Sequence, residues 1–193
     1  MEFKKIQLNG FKSFAEKTNF LIEDGLTGIV GPNGCGKSNI VESLRWVMGE
    51  TSAKSMRGSG MEDVIFSGTS NKASKNIAEV SIEVENKDKE GPIQYRELEQ
   101  IQVRRKIEKD KGSKFYINDK EVRARDAQMF FADLSTGAHS PSMISQGRIG
   151  ALVTAKPTDR RAILEEAAGI SGLHVRRHEA ELRLGAAENN LKR

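Results

Sequence analysis

The eight residues Gly31-Pro32-Asn33-Gly34-Cys35-Gly36-Lys37-Ser38 constrain this chain more than any other stretch, because they fill every fixed position of G-x-x-x-x-G-K-[ST]. Glycines at 31, 34 and 36 permit a tight turn whose backbone N–H groups converge on an anion. Lys37 brings an ammonium toward the β- and γ-phosphates of a nucleotide, and the Ser38 hydroxyl is a short oxygen ligand for Mg²⁺. The flanks agree with a phosphate loop. Leu26-Thr27-Gly28-Ile29-Val30 is β-prone and reads as the strand entering the loop, while Ile40, Val41, Leu44, Val47 and Met48 recur at helical spacing, with Gly49 placed as a C-terminal cap. The helix adds its positive dipole end to the cradle.

A chain of 193 residues can bury one full-sized core, or one core plus an appendage. Hydrophobic residues make up 37% and charged residues 30%, a soluble composition. No apolar run approaches the ~20 residues needed to cross a bilayer. The start, Met1-Glu2-Phe3-Lys4-Lys5-Ile6, alternates instead of forming the apolar centre of a signal peptide, so the expected location is cytoplasmic. The single cysteine, Cys35, cannot form an intramolecular disulfide, in keeping with a reducing compartment. Lys and Arg number 31 against 27 Asp and Glu, an excess of 4, which permits a polyanionic partner. Basic residues gather at Arg104-Arg105-Lys106 with Lys109, Lys111 and Lys114, and again at Arg176-Arg177. Such clusters are either nucleic-acid contacts or an ordinary solvated face.

Around the loop, residues 3–8 and Phe20-Leu21-Ile22 read as two strands, with Gly10-Phe11-Lys12-Ser13-Phe14 as a turn that returns Lys12 toward the phosphate loop. Residues 51–60 read as a small, polar, basic surface loop, and Asp63-Val64-Ile65-Phe66 as a short strand before a turn at Gly68. Ala78, Val80, Ile82 and Val84 alternate with Glu79, Ser81, Glu83 and Glu85, the pattern of an antiparallel strand with one wet face. Further β-like runs cover residues 93–107 and 114–117, with turns at 109–112 and 118–120, so the middle third is hairpin-rich. Residues 123–134 return to helical spacing. Within them Met129-Phe130-Phe131-Ala132-Asp133 mimics the apolar run plus Asp of a Walker B segment, but no Glu follows and the neighbours favour a helix, so it is assigned to the core.

Gln146, in Ser145-Gln146-Gly147, is the second candidate for nucleotide chemistry, because an amide oxygen coordinates Mg²⁺ while the same side chain orients a water. From residue 157 the composition turns to helix formers, with Thr158 or Asp159 as N-cap. Ile170, Leu173, Ala180, Leu184, Ala187 and Leu191 then follow a 3-4-3-4 spacing, interrupted at Arg177: about three heptads of coiled coil, or a lone amphipathic helix docked on the core. No cap or proline closes this pattern before Arg193, so the helix is expected to be cut off there.

Taken in order, residues 8–14, 31–39, Lys54-Ser55-Met56-Arg57-Gly58, Glu62-Asp63-Val64-Ile65-Phe66, Ser145-Gln146-Gly147 and 161–169 resemble the N-terminal head segment of bacterial structural maintenance of chromosomes (SMC) proteins, over the whole chain. The resemblance implies an α/β fold: half of an ABC-type P-loop NTPase head with a mixed sheet, a hairpin-rich antiparallel lobe and the start of a coiled coil. It implies a head lobe over residues 1–158 and a head helix leading into coiled coil over 159–193. ATP and Mg²⁺ would be bound by Lys12, Pro32, Asn33, Gly34, Cys35, Gly36, Lys37, Ser38, Asn39, Asp63 and Gln146, with Ser38 and Gln146 on the metal. Lys37, Gln146 and Arg57 would serve turnover, Arg57 as a basic finger coupling DNA to hydrolysis and Asp63 near the adenine. Cys35 departs modestly from the family, where serine is common.

The family's partners are the chain's own C-terminal head half, a second SMC head joined by ATP, a kleisin-type subunit and DNA, on the nucleoid and without a membrane. A Leu-Ser-Gly-Gly-Gln-like signature, a Walker B segment with its Glu and a switch His have no counterpart in this sequence, which suits a split head and not a continuous transporter ATPase. Two readings compete: the head half of a double-strand-break-repair or RecF-like ATPase, and a P-loop kinase acting on a small molecule. A kinase would need a lid with phosphate-clamping arginines and would not end in open heptads.

Overall fold

The computed structural model describes residues 1–87, 89, 91–134, 143, 150, 153–168 and 171–191. They form two compact units, Met1–Phe130 and Phe131–Arg193. The first is built on a six-stranded sheet of β1 (Glu2–Asn9), β2 (Thr18–Leu21), β3 (Ile77–Glu85), β4 (Gln100–Glu108), β5 (Gly112–Ile117) and β6 (Lys120–Val122), in the order β2-β1-β3-β4-β5-β6. Every pairing is antiparallel.

The period-2 pattern decides which face is dry. Ile6 and Leu8 of β1 face Ile82 and Val80 of β3, which face Val103 and Arg105 of β4. All six lie on the buried side with Phe115 and Ile117 of β5. The opposite face is a mosaic of charge, with Lys5 on Glu83 at 2.8 Å, Arg104 on Glu79 at 3.4 Å and Lys114 on Glu121 at 3.1 Å. The basic run 104–106 is therefore split by the pleat: Arg105 points into the core and is lost to any nucleic-acid surface, while Arg104 is held by Glu79, Asp119 and the ring of Tyr116. The β5–β6 hairpin turns on Asn118 and Asp119, both at positive φ as a type I′ turn requires.

Helix α1 (Lys37–Val47) packs on the dry face against β3 and β4. Its C-terminus is closed by Gly49 at φ 105°, whose N–H donates to Trp46 O at 3.1 Å. A side chain at Gly49 would lie 2.3 Å from Gln128 Cγ, and Gln128 Nε2 donates to Gly49 O at 2.8 Å. Gln128 belongs to α2 (Ala124–Asp133), which runs across the boundary between the units. The Walker B-like run 129–133 is thus helical and contributes buried Phe130 and Phe131, in line with its assignment to the core.

One anchor of α1 is a residue of β4. Arg105 is buried; its guanidinium donates from Nη1 to Trp46 O and Glu50 O, both at 2.7 Å, and from Nε to Ser113 Oγ at 2.8 Å. It lies between the rings of Trp46 and Phe115, 4.5 and 4.7 Å from their centroids. Burial pushes its pKa down to about 10, against the opposing pull of Glu50, and it keeps its charge at neutral pH. A cation here adds a charged donor to carbonyls at the end of the helix, beside the Gly49 N–H on Trp46 O, and faces its negative dipole end.

Several sequence expectations fail in this unit. The β-like run expected over residues 93–107 becomes a strand only at Gln100, after a 3₁₀ turn at Ile93–Tyr95. Residues 26–30 form no strand: Leu26 and Val30 are 100% and 94% exposed, and among the described residues no neighbouring strand edge supplies hydrogen bonds or covers their side chains. The described sheet is accordingly antiparallel throughout and not mixed. Asp63 and Val64 belong to a 3₁₀ turn, Met61–Val64, and only Ile65 bridges to Phe11, because the Asp63 carboxylate gathers the N–H groups of Ser59 and Gly60 into a turn.

In the second unit α3 (Pro157–Ala167) begins on Pro157, at the position where a missing N–H costs nothing, so Thr158 and Asp159 fall inside the first turn and do not cap it. Helix α4 (Ser171–Leu191) carries i,i+4 support from Arg177 to Glu181 at 3.3 Å, and its heptad residues Leu184 and Leu191 are exposed. Ile170 lies outside the described residues. No described helix is long and apolar enough to cross a membrane.

Candidate phosphate-binding site

Between β2 and α1 the loop 31–38 folds by way of Gly34 at φ 84° and Gly36 at φ 96°, left-handed conformations that ordinary side chains resist by ~1–2 kcal/mol. Gly36 is also pressed by a neighbour: a Cβ there would sit 2.4 Å from Ser13 Oγ. The 10–14 turn thereby closes over the loop, and Asn39 Nδ2 donates to Ser13 Oγ at 2.9 Å. At Gly31 a Cβ would lie 2.9 Å from the sulfur of Cys35, an exposed free thiol.

Lys37 opens α1, and its ammonium donates to Gly31 O at 2.5 Å and Pro32 O at 2.6 Å. It is held by the carbonyl rim of the loop it follows. Pro32, Asn33, Gly34 and Cys35 are exposed along that rim, and Ser38, also exposed, stands in the first turn of α1. Gly36, the N-cap, has no side chain to satisfy the first N–H groups of the helix, and no acidic residue occupies its first turn. Open N–H donors, a positive dipole end and an ammonium on one loop select an anion. Among the described residues no group of three His, Cys, Asp or Glu side chains stands together, and Ser38 is the oxygen ligand that this loop offers a cation.

Lys12 and Arg57 meet beside the loop on a residue the sequence did not single out. Glu42 of α1 is buried; one carboxylate oxygen bonds the Lys12 ammonium and the other lies 3.0 Å from Arg57 Nε. The Lys12 ammonium also donates to Met56 O at 2.5 Å, and its backbone N–H to Val64 O at 2.7 Å. Lys12 at φ 47° and Arg57 at φ 55° are both non-glycine residues in the left-handed region, strain of about 1–3 kcal/mol apiece that their surroundings offset. The available signal was a carboxylate four residues before Trp46, on the helix ridge that faces the core.

Asp63 is committed to its own turn. Its Oδ2 accepts from Ser59 N at 2.6 Å, Ser59 Oγ at 2.9 Å and Gly60 N at 2.9 Å. The Gly60 N–H, then the Ser59 hydroxyl and N–H, hold its carboxyl below the usual aspartate value. A folded-state pKa below the unfolded one contributes stability above the unfolded value, and that stability is lost as pH falls through the folded value. The Ser59 and Gly60 amide signals are therefore expected to titrate at a pH below 3.8, the ordinary value, and in Asp63→Ala not at all. Titration of both amides at the ordinary value would remove Asp63 from this role. Gln146 lies outside the described residues.

The sequence family described as the RecF/RecN/SMC N-terminal domain matches residues 2–148. The chain is 57% identical over 193 residues to the chromosome partition protein Smc of Cereibacter sphaeroides, covering all of this chain and 17% of that protein. It thus spans about one sixth of the length of such relatives. Among solved structures, an Smc head domain from Pyrococcus furiosus with an extended coiled coil, bound to the C-terminal domain of ScpA, aligns at a TM-score of 0.80 and 31% identity over 99% of this chain and 48% of that one. A structure from work on ATP-driven dimerization and DNA-stimulated activation of SMC ATPases aligns at 0.73 and 31% identity over 86% and 99%.

Proposed function

We propose, from the premise that this chain belongs to the RecF/RecN/SMC N-terminal domain family and is an N-terminal head segment of the bacterial SMC type, that it is the ATP-binding half of a head whose other half supplies the remaining catalytic groups. The observation that carries the reading is the loop 31–38, with Gly34 and Gly36 left-handed and Lys37 opening α1. When bound there, ATP with Mg²⁺ supplies the phosphoanhydride and a cation to neutralise it. The loop N–H groups would orient the phosphates; the Lys37 ammonium would exchange two carbonyls for phosphate oxygens; the Ser38 hydroxyl would hold the metal, and Gln146 would join it and orient water. Arg57 reaches the phosphate end and couples DNA to turnover.

Exposed residues 26–30 support the need for a complement. Leu26, Ile29 and Val30 are a β-prone run without a partner strand among the described residues, and a strand from the C-terminal half would satisfy both its backbone and its side chains. The exposed Leu184 and Leu191 of α4 suit a second coiled-coil helix in the same way. The completed head would join a second head through ATP, bind a kleisin-type subunit as the Pyrococcus furiosus head binds ScpA, and act on DNA at the nucleoid in chromosome partition.

Phosphoryl transfer to water needs a positioned nucleophile and neutralised γ-phosphate charge, and a cradle with one metal ligand supplies only part of that. Phosphate release by this chain alone is expected to match the Lys37→Ala background, and to rise at least tenfold over it when the C-terminal half is added. Lys37-dependent turnover by the chain alone would overturn the split-head reading.

A further inference from the structure

The Glu42 carboxylate holds two cations in unequal ways. Lys12 is enclosed, its side chain 13% exposed and shared with Met56 O. Arg57 is 65% exposed and meets Glu42 by its Nε edge, which leaves the Nη edge of a planar fork directed elsewhere. Glu42 Oε1 is buried and has no aligned hydrogen bond, although Arg57 Nε lies 3.0 Å away. A buried carboxylate oxygen in that position is costly unless a charge answers it, so it constrains where the guanidinium can stand. The backbone adds a second constraint. Arg57 ends the 3₁₀ turn Lys54–Met56 in the left-handed region, and the carbonyl of Met56, next to it, is the acceptor for Lys12. One carboxylate on α1 therefore ties the 10–14 turn that closes over Gly36 to the loop that carries Arg57.

We infer that Glu42 is a positioning residue of the nucleotide site: by gripping Arg57 at Nε and Lys12 at its ammonium, it presents the Nη edge of Arg57 to the phosphate end of a nucleotide held on the loop 31–38. The inference rests on the nucleotide-binding reading and adds to it a residue that touches no ligand. A carboxylate near an anion site ordinarily weakens binding by like-charge repulsion. Here its removal has the opposite sign, because the cation it orients is lost from register.

The test is titration calorimetry of this chain with Mg·ATP, on the parent, Glu42→Gln, Glu42→Asp, Arg57→Ala, each Glu42 variant combined with Arg57→Ala, and Lys37→Ala. Glu42→Gln is expected to weaken ATP binding about tenfold, Arg57→Ala by a similar factor, and the pair no further than either alone, because both remove one oriented contact. Glu42→Asp keeps the charge but shortens its reach by one methylene, and is expected to lose about threefold, a loss that disappears in the Arg57→Ala background. It also serves if Glu42→Gln fails to fold. The Arg57 Nε–H nitrogen signal is expected to move in both Glu42 variants without nucleotide, which a general loosening of α1 would not produce selectively. Unchanged or tighter ATP binding in either Glu42 variant, or losses that simply add in the pair, overturns the inference. Lys37→Ala separates the two readings: if that variant binds ATP as the parent does, the nucleotide site itself is wrong, whereas loss of binding in Lys37→Ala with parental binding in the Glu42 variants removes Glu42 alone.

Discussion

Lys37→Ala should abolish detectable binding of Mg·ATP to this chain. The ammonium makes two short hydrogen bonds to the loop carbonyls of Gly31 and Pro32, and a phosphate pair in their place would form charge-assisted bonds instead. Such bonds are worth ~1.5–3 kcal/mol each, and about 1.4 kcal/mol is a factor of ten, so losing two costs roughly a hundredfold or more. The variant also leaves the carbonyls of Gly31 and Pro32 facing an incoming polyanion without a cation between them. Calorimetry is the measurement, with thermal unfolding of the same sample to show that α1 is intact. Gly31 and Pro32, which Lys37 bonds, are exposed, so folding should be affected little. Parental affinity in a folded Lys37→Ala protein would remove the loop 31–38 as the nucleotide site.

The second large effect is on stability. Arg105→Met should destabilise the first unit by about 3–5 kcal/mol, the range for removing one side of a buried charge arrangement. Methionine keeps much of the volume between Trp46 and Phe115 but removes the guanidinium donor from the carbonyls of Trp46 and Glu50, leaving Trp46 O to the Gly49 N–H, and it removes the cation beside the buried Glu50. Arg105→Lys should recover only part of the loss, because one ammonium cannot reach both carbonyls and Ser113 while lying flat between two rings. Chemical denaturation of the three proteins gives the comparison. A loss below about 1 kcal/mol in Arg105→Met would mean that water or a neighbouring donor satisfies the helix end. Since domains are stable by only ~5–15 kcal/mol, the expected loss is a large share of the total.

Short-range physics was legible in the residues. The alternation of Ala78, Val80, Ile82 and Val84 placed β3 and its dry face, and the paired turn residues Asn118 and Asp119 placed the last hairpin. The loop 31–38 and the helix after it were readable for the same reason: glycine positions, a cap and a 3.6-residue period are properties of neighbours in the chain. Arg105 was misleading because a run of three basic residues looks like one surface patch until a strand's pleat sends alternate members to opposite faces.

What only tertiary structure decided are the matters that depend on distant partners. Residues 26–30 have the composition of a strand, yet a strand needs a second edge to bond to, and the described residues supply none, so the run stands exposed. Asp63 carries a strand-like neighbourhood, but its carboxylate found three donors in Ser59 and Gly60 and turned the chain instead. Glu42 is the sharpest case, since a glutamate within a helix is ordinarily a solvated residue, and its spacing of four from Trp46 marks only the helix face it lies on, not the two cations that meet it there. Lys12 and Arg57 are thirty and fifteen residues away in sequence, and only folding brings their charges to one carboxylate on α1 and makes its burial tolerable.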